Sequence, residues 1–242
     1  MAEPSIDVKR QIAGLIAMIA HDLRGQVTAI KGFSQLALRR AGPSSEVDGY
    51  LSVTIAEANR MAALIDDLVL FSQIEVQPTI RVEPIDLREV LRAATERIEH
   101  LGIVPDLAVE TEAESLVAWC DPTLTTRALA LVIRTACRYQ AGSGPLAITI
   151  RRERGETIVA VRSTSSLAAD KLRALRRVIG VVDDDPADEI SPSGLGLYMS
   201  HRLIARQEGR IWIEQSPDRG TTFGIALPGD IAERETSSRG DR

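Results

Sequence analysis

The sequence predicts an α+β protein: a helical hairpin that dimerises into a four-helix bundle, followed by an α/β sandwich. Three observations predict it. Two long stretches carry apolar residues three and four apart, a proline-bearing break interrupts the chain near residues 76–82, and two strictly alternating stretches close the second half. The chain of 242 residues has room for both parts, and its 44% hydrophobic content is ordinary for a globular protein.

In the first stretch, Ile12, Ile16, Ile19, Leu23, Val27 and Ile30 recur at helical spacing and are expected to form one buried stripe. The stripe ends at "RRAGPSS". There Gly42 and Pro43 stop a helix, and Ser44 or Ser45 can cap the next. A second stripe runs Leu51, Ile55, Ala58, Ala62, Ile65, Val69, with Asp66 and Asp67 off its face. Two such helices, antiparallel, leave apolar surface uncovered, so a homodimer forming a four-helix bundle is expected. The hairpin takes residues 1–75.

"EVQPTIRVEPIDL" combines two prolines with β-branched residues and reads as a linker, residues 76–82, running into a short strand. The second domain spans residues 83–230. Within it "IDLREVLRAATERIEHLGI" is an amphipathic helix, "LVAWCDP" a strand into a turn, and "LTTRALALVIRTACRYQ" another helix. "PLAITIRRERGETIVAVRS" alternates on both sides of an Arg-Gly turn, which makes a β-hairpin, and "GRIWIEQSPDRGTTFGIALP" makes a second. A helix follows the glycines between them. Residues 231–242 are polar and charged and are expected to be a disordered tail.

Bulk properties exclude several classes. A net charge of −5 and the lack of a basic run with interleaved aromatics argue against nucleic acid as a partner. Cys120 and Cys137 show neither disulfide nor metal-ligand spacing, so both are read as packing residues in a reducing compartment, and no metal site is expected. The most apolar window, Ile12 to Ala20, is far shorter than the roughly 20 residues that span a bilayer, and no leader pattern precedes it. The expectation is a cytoplasmic protein with no membrane attachment of its own.

"IAHDLRGQVTAIKGF" sets one of three histidines beside an acid on the first helix. At about 100° per residue, His21 sits about 200° past Ile19 and about 200° before Leu23, so its imidazole points to solvent from a rigid rod. A neutral imidazole is nucleophilic near neutral pH, and a neighbouring carboxylate favours the reactive tautomer.

This order of elements resembles the transmitter region of bacterial two-component histidine kinases, over roughly residues 8 to 229. "HDLRGQVTAIKGF" is similar to the family's phosphoacceptor box. The resemblance implies that His21 takes the phosphoryl group, that Asp22 orients the ring or accepts its proton, and that Arg24 belongs to the same catalytic group. "SGLGLYMSHRLIARQEGRIWIE" is similar to the second glycine box of the family's ATPase domain, which assigns Gly194 and Gly196, with Arg138 and Tyr139, to a weak or vestigial nucleotide site. Glycines there let backbone N–H groups and a helix N-terminus approach phosphates.

The match breaks at several positions. Where the family holds a magnesium-binding asparagine, "TACRY" supplies Thr135, a poorer oxygen ligand. Ser163 stands in the place of the adenine-reading aspartate; losing such a charge-assisted bond costs about 1.5–3 kcal/mol, or about 10- to 100-fold in affinity. Ser165 and Leu167 replace the glycines of the first glycine box, and "GVVDDDPADEISPS" puts carboxylates where the family has its lid. On these grounds no cofactor is expected to be required, and ATP with magnesium is expected to bind with a dissociation constant above about 1 mM. Gly25 occupies the position four residues after the histidine where phosphatase-competent members carry Thr or Asn, and Gln26 replaces the kinking proline, so a straighter helix without phosphatase assistance is expected.

Three functions follow. The leading expectation is a phosphotransfer protein that carries a phosphoryl group on His21 to or from response-regulator receiver domains, close in design to dimeric histidine phosphotransferases. The alternatives are an ATP-dependent sensor histidine kinase with a divergent nucleotide site, or a non-catalytic pseudokinase regulator.

Overall fold

The computed structural model describes residues 6–41, 46–76, 80–101, 103–112, 116–140, 144–180 and 192–229. The Gly42–Pro43 stop, the serine cap, most of the acidic stretch and the tail expected beyond residue 230 lie outside them. The chain divides into two compact units, residues 1–79 and 80–242.

The first unit is a hairpin of two long helices, α1 (Ile6–Ala41) and α2 (Glu46–Val76). Helix α1 runs uninterrupted through Gln26, where a proline would have removed a backbone hydrogen bond. Its core is small: Ala20 and Val27 of α1 are buried with Ala58 and Ile65 of α2, and Ala62 and Val69 pack against them. The second stripe therefore behaves as read.

The first stripe does not. Ile19, Leu23 and Ile30 are 47%, 38% and 48% exposed in this unit, and Ala20, absent from the stripe, is buried in their stead. On a helical wheel, residues 20 and 27 fall within about 20° of each other, whereas 19, 23 and 30 cluster about 60–100° to one side. One partner helix covers only one of those strips. Asp66 is also corrected: it faces α1 and pairs with Arg24.

The second unit begins with β1 (Glu83–Asp86) and α3 (Leu87–His100), followed by β2 (Leu107–Thr111), β3 (Val117–Cys120) and α4 (Pro122–Tyr139). The hairpin β4 (Leu146–Glu153) and β5 (Glu156–Ser163) leads to α5 (Ala169–Val178). Helix α6 (Pro192–Ala205) and the hairpin β6 (Arg210–Ser216) and β7 (Gly220–Pro228) complete it. Five strands form a mixed sheet in the order β2-β4-β5-β7-β6, with β2 parallel to β4 and the other pairs antiparallel; β1 and β3 pair separately.

Local chemistry explains the boundaries. Asp86 caps α3 by accepting from the Arg88 N–H, and the Arg88 side chain holds the Asp86 carboxyl below its usual pKa despite partial burial. Asp121 caps α4 by accepting from the N–H groups of Thr123 and Leu124, with Pro122 in the first helical position. The β4–β5 turn places Arg154 and Gly155 at φ 49° and 76°, the positive pair that a two-residue hairpin requires.

Helices α3, α4 and α6 form a layer, with α4 against β5 and β7. Two buried polar side chains, Ser200 on α6 and Gln207 just past its end, tie this region to α4. Ser200 donates within reach of Ala128 O at 3.1 Å and Gly196 O at 2.8 Å, and the Gln207 Oε1 accepts from the Asp121 N–H and the Thr125 hydroxyl. These bonds set the spacing of the two helices that carry the nucleotide-site residues expected from sequence.

Candidate functional site

On α1, His21 is exposed, as its place off the packed stripe requires, while Ala20 beside it is buried. A buried alanine one residue away fixes the helix and leaves the imidazole in water. The Asp22 side chain lies outside the described residues. Arg24 is committed across the hairpin: its Nε and Nη2 both donate to Asp66 Oδ1, at 3.1 and 2.7 Å. Both partners are over 40% exposed, so the pair contributes about 0–1 kcal/mol and acts mainly to fix the register of α1 against α2.

A Cβ built on Gly25 meets nothing within 4 Å. Glycine inside a helix costs roughly 0.5–1 kcal/mol relative to alanine. Gly25→Ala is therefore expected to raise the unfolding free energy of the hairpin by that amount, measured by denaturant titration.

In the second unit, Gly194 is buried and Gly196 half-buried in the first turns of α6. A Cβ on Gly196 would lie 3.5 Å from Leu131 Cδ2 and 3.7 Å from Thr135 Oγ1. The structure thus brings Thr135 and Gly196 together, with Arg138 and Tyr139 one turn further along α4. Thr135 is buried, and its hydroxyl donates to Leu131 O at 2.8 Å.

Residues 163–168 close over the end of the sheet by contacts that no short motif announces. The buried Ser163 hydroxyl donates to Gln140 Oε1, which also accepts from the Thr164 N–H. Gln215 pairs twice with the Leu167 backbone, accepting from its N–H at 2.9 Å and donating to its carbonyl at 3.1 Å. Thr221 donates to Ser165 O. Leu167 is itself buried. Gln140, Gln215 and Thr221 escape sequence reasoning because each acts on a segment far away along the chain.

Thr135 and Ser163 differ in kind from the amide and carboxylate that the resemblance implies for magnesium and adenine. Magnesium takes oxygen ligands at about 2.0–2.1 Å in an octahedron; the Thr135 hydroxyl is neutral, short and buried, and is oriented by its bond to Leu131 O on its own helix. The Ser163 hydroxyl donates to Gln140 Oε1 and accepts from the Ser165 N–H, and it lacks the negative charge of a carboxylate. Among the described residues no three His, Cys, Asp or Glu side chains gather as a metal site. Both cysteines are free, and burial pushes both thiols up, Cys120 being fully enclosed, which suits packing rather than reactivity.

His201, five residues after Gly196 on α6, has a buried Nδ1 with no partner among the described residues. Burial, and secondarily the charge of Arg202, hold its pKa below the ordinary value. A histidine depressed on folding contributes stability that is complete above its unfolded pKa of about 6.5 and is lost as pH falls toward the folded value. The unfolding temperature of the wild type is therefore expected to drop more between about pH 7.5 and about pH 5.5 than that of His201→Gln.

An exposed imidazole on a helical hairpin, accompanied by a mixed-sheet domain with a glycine-bearing helix, defines a phosphoacceptor and ATPase-type pair of domains. Comparison with known proteins agrees. Residues 11–77 match the His Kinase A phospho-acceptor domain, and residues 120–231 match the histidine kinase-, DNA gyrase B- and HSP90-like ATPase domain. The chain is 26% identical over 230 residues to the sensor protein VanS of Enterococcus faecium, covering 92% of this chain and 59% of that one. It is 28% identical over 218 residues to the sensor-like histidine kinase SenX3 of Mycobacterium tuberculosis, covering 88% and 53%. Among solved structures it shares the fold of the Acinetobacter baumannii histidine kinase AdeS, with TM-score 0.55, 21% identity and coverage of 87% of this chain and 98% of that one. Full-length ShkA in complex with AMPPNP gives TM-score 0.59 at 18% identity, covering 89% and 45%. The chain belongs to the two-component histidine kinase transmitter family, and it spans less than two thirds of the length of these sensor relatives. No described helix is long and apolar enough to cross a membrane.

Proposed function

We propose that the chain is the transmitter of a two-component sensor histidine kinase, with His21 as the residue that is phosphorylated and a receiver-domain aspartate as its partner. The exposure of His21 on a helix otherwise packed by Ala20 and Val27 is the observation that carries this reading. A ring nitrogen attacks the phosphorus, an N–P bond forms as the P–O bond to the leaving group breaks, and the ring proton passes to a neighbouring base. Attack by a receiver carboxylate reverses the bond changes and empties the imidazole.

The sensor-kinase relatives shift the balance from the stand-alone phosphotransfer protein, which the sequence put first, to a kinase with a divergent nucleotide site. Relay transfer stays as the second reading because of Thr135 and Ser163, neutral hydroxyls where the resemblance implies an amide and a carboxylate, which favour weak binding of nucleotide and magnesium. Labelled ATP with magnesium and a separately phosphorylated receiver distinguish the two. Label from ATP supports the kinase; label from the receiver alone supports the relay; label from neither overturns both in favour of a non-catalytic regulator.

The working unit in this proposal is a homodimer. Ile19, Leu23 and Ile30 form an apolar strip on α1 that α2 leaves uncovered, and a second copy of the hairpin would bury it as a four-helix bundle. Leu23→Asp is expected to leave the hairpin helical but monomeric by sedimentation. Ile65→Asp, at a buried position, is expected to cost several kcal/mol and to unfold the hairpin itself, seen as lost helical circular dichroism.

A further inference from the structure

Strand alternation sends Ile150, Val161, Ile213 and Phe223 into the buried core, so their neighbours Arg151, Arg162 and Thr222 emerge on the opposite face of the sheet. That face carries a cavity of about 560 Å³, within the range that encloses a small molecule. Ala160, Thr149 and Thr222 line it with small side chains, and Trp212 forms a wall. The indole has two close neighbours. A Cβ on Gly224 would lie 2.2 Å from its ring, and the Arg210 guanidinium, itself paired with Glu156 at 2.8 Å, sits 4.7 Å from its centroid.

Charge is the unusual property of this cavity. Four arginines line it, Arg151 from β4, Arg162 from β5, Arg176 from α5 and Arg219 from the β6–β7 turn, against the single carboxylate of Glu214. The chain as a whole carries −5. The Arg162 and Arg219 side chains have no ion-pair or hydrogen-bond partner among the described residues; the Arg151 side chain has only a long ion pair to Glu153, at 3.4 Å, and Arg176 donates to Ile213 O at 3.2 Å. Four guanidinium groups around one space outnumber the carboxylates near them and repel each other, and their planar forks match phosphate oxygens.

We propose that this cavity binds a small polyphosphate-class anion, at a site distinct from the α4–α6 glycine site and independent of what happens at His21. Several arginines reached from three directions favour a chain of phosphates over a single one.

The test is calorimetry of the full chain with sodium tripolyphosphate, and separately with inorganic phosphate, at low salt where exposed charges are weakly screened. Tripolyphosphate is expected to bind at least about tenfold more tightly than phosphate. The double variant Arg162→Ala, Arg219→Ala, both exposed and checked for folding by circular dichroism, is expected to lose roughly tenfold or more in affinity. Arg97→Ala, an exposed arginine on α3, is expected to change it less than about twofold. Absence of tripolyphosphate binding, equal affinity for the two anions, full retention in the double variant, or an equal loss in Arg97→Ala would each overturn the proposal.

Discussion

His21→Gln is expected to abolish acid-labile, alkali-stable phosphoryl labelling of the chain, whichever donor is offered, while leaving helix content and self-association unchanged. Glutamine keeps polar bulk but has no nucleophilic ring nitrogen, so the loss falls on chemistry alone. Fold is spared because the side chain is exposed and the packing around it comes from Ala20, Val27, Ala58 and Ile65. Label persisting in the variant would move the acceptor elsewhere, and a loss of helix would mean that the imidazole holds the hairpin together. The Arg24–Asp66 pair gives a built-in comparison: Arg24→Ala removes a half-exposed ion pair and is expected to shift stability by no more than about 1 kcal/mol.

The largest expected effect on stability lies in the second unit, at Gly220→Val. Gly220 has φ +72°, where a side chain is strained, and a Cβ there would stand 2.1 Å from Ser163 O and 2.6 Å from the Thr164 carbonyl carbon. Both are backbone atoms that cannot swing aside. Strain of about 1–2 kcal/mol and overpacking of about 1–3 kcal/mol together predict a loss of about 2–5 kcal/mol in denaturant unfolding. The damage should centre on residues 163–168, because the same turn presents Thr221 to Ser165 and Gln215 to Leu167. A loss below about 1 kcal/mol would show that the loop gives way, and that its closure over the sheet is soft rather than built in.

How much of this was legible beforehand depends on how local each signal is. The two β-hairpins were legible because alternation and turn residues sit within one stretch of chain, and Arg154–Gly155 carries its own conformational signature. Helices α1 to α4 were legible from spacing, while the Asp86 and Asp121 caps that set two of their starts emerged from the structure. Strand β2 was not: it is a parallel edge strand, mostly exposed, with no alternation to betray it. Helix α5 was not legible: it is ten residues long, has no side-chain cap, and offers only Leu172, Leu175 and Val178 at helical spacing.

The site divides in the same way. His21 follows from periodicity on one helix, whereas the Arg24–Asp66 pair needs the register of the hairpin, which no single helix contains. The division of one expected stripe into a strip facing α2 and an uncovered strip also depends on that register, since residues 19 and 20 differ by only about 100° on the wheel. Thr135 and Ser163 were visible as substitutions in a resembling motif. That their hydroxyls donate to Leu131 O and Gln140 required the fold.

The most direct measurement is phosphorus–nitrogen correlation by magnetic resonance on protein phosphorylated with ATP and magnesium, or with a phosphorylated receiver, after selective labelling of its three imidazoles with nitrogen-15. In each of the other two rings one nitrogen is engaged or enclosed: His100 Nδ1 lies 2.6 Å from Glu96 O, and His201 Nδ1 is buried. Phosphoramidate coupling at the His21 ring, and at no other, is the predicted result. Coupling at His100 or His201, or phosphate held as an ester or acyl phosphate with all three rings unmodified, would contradict it.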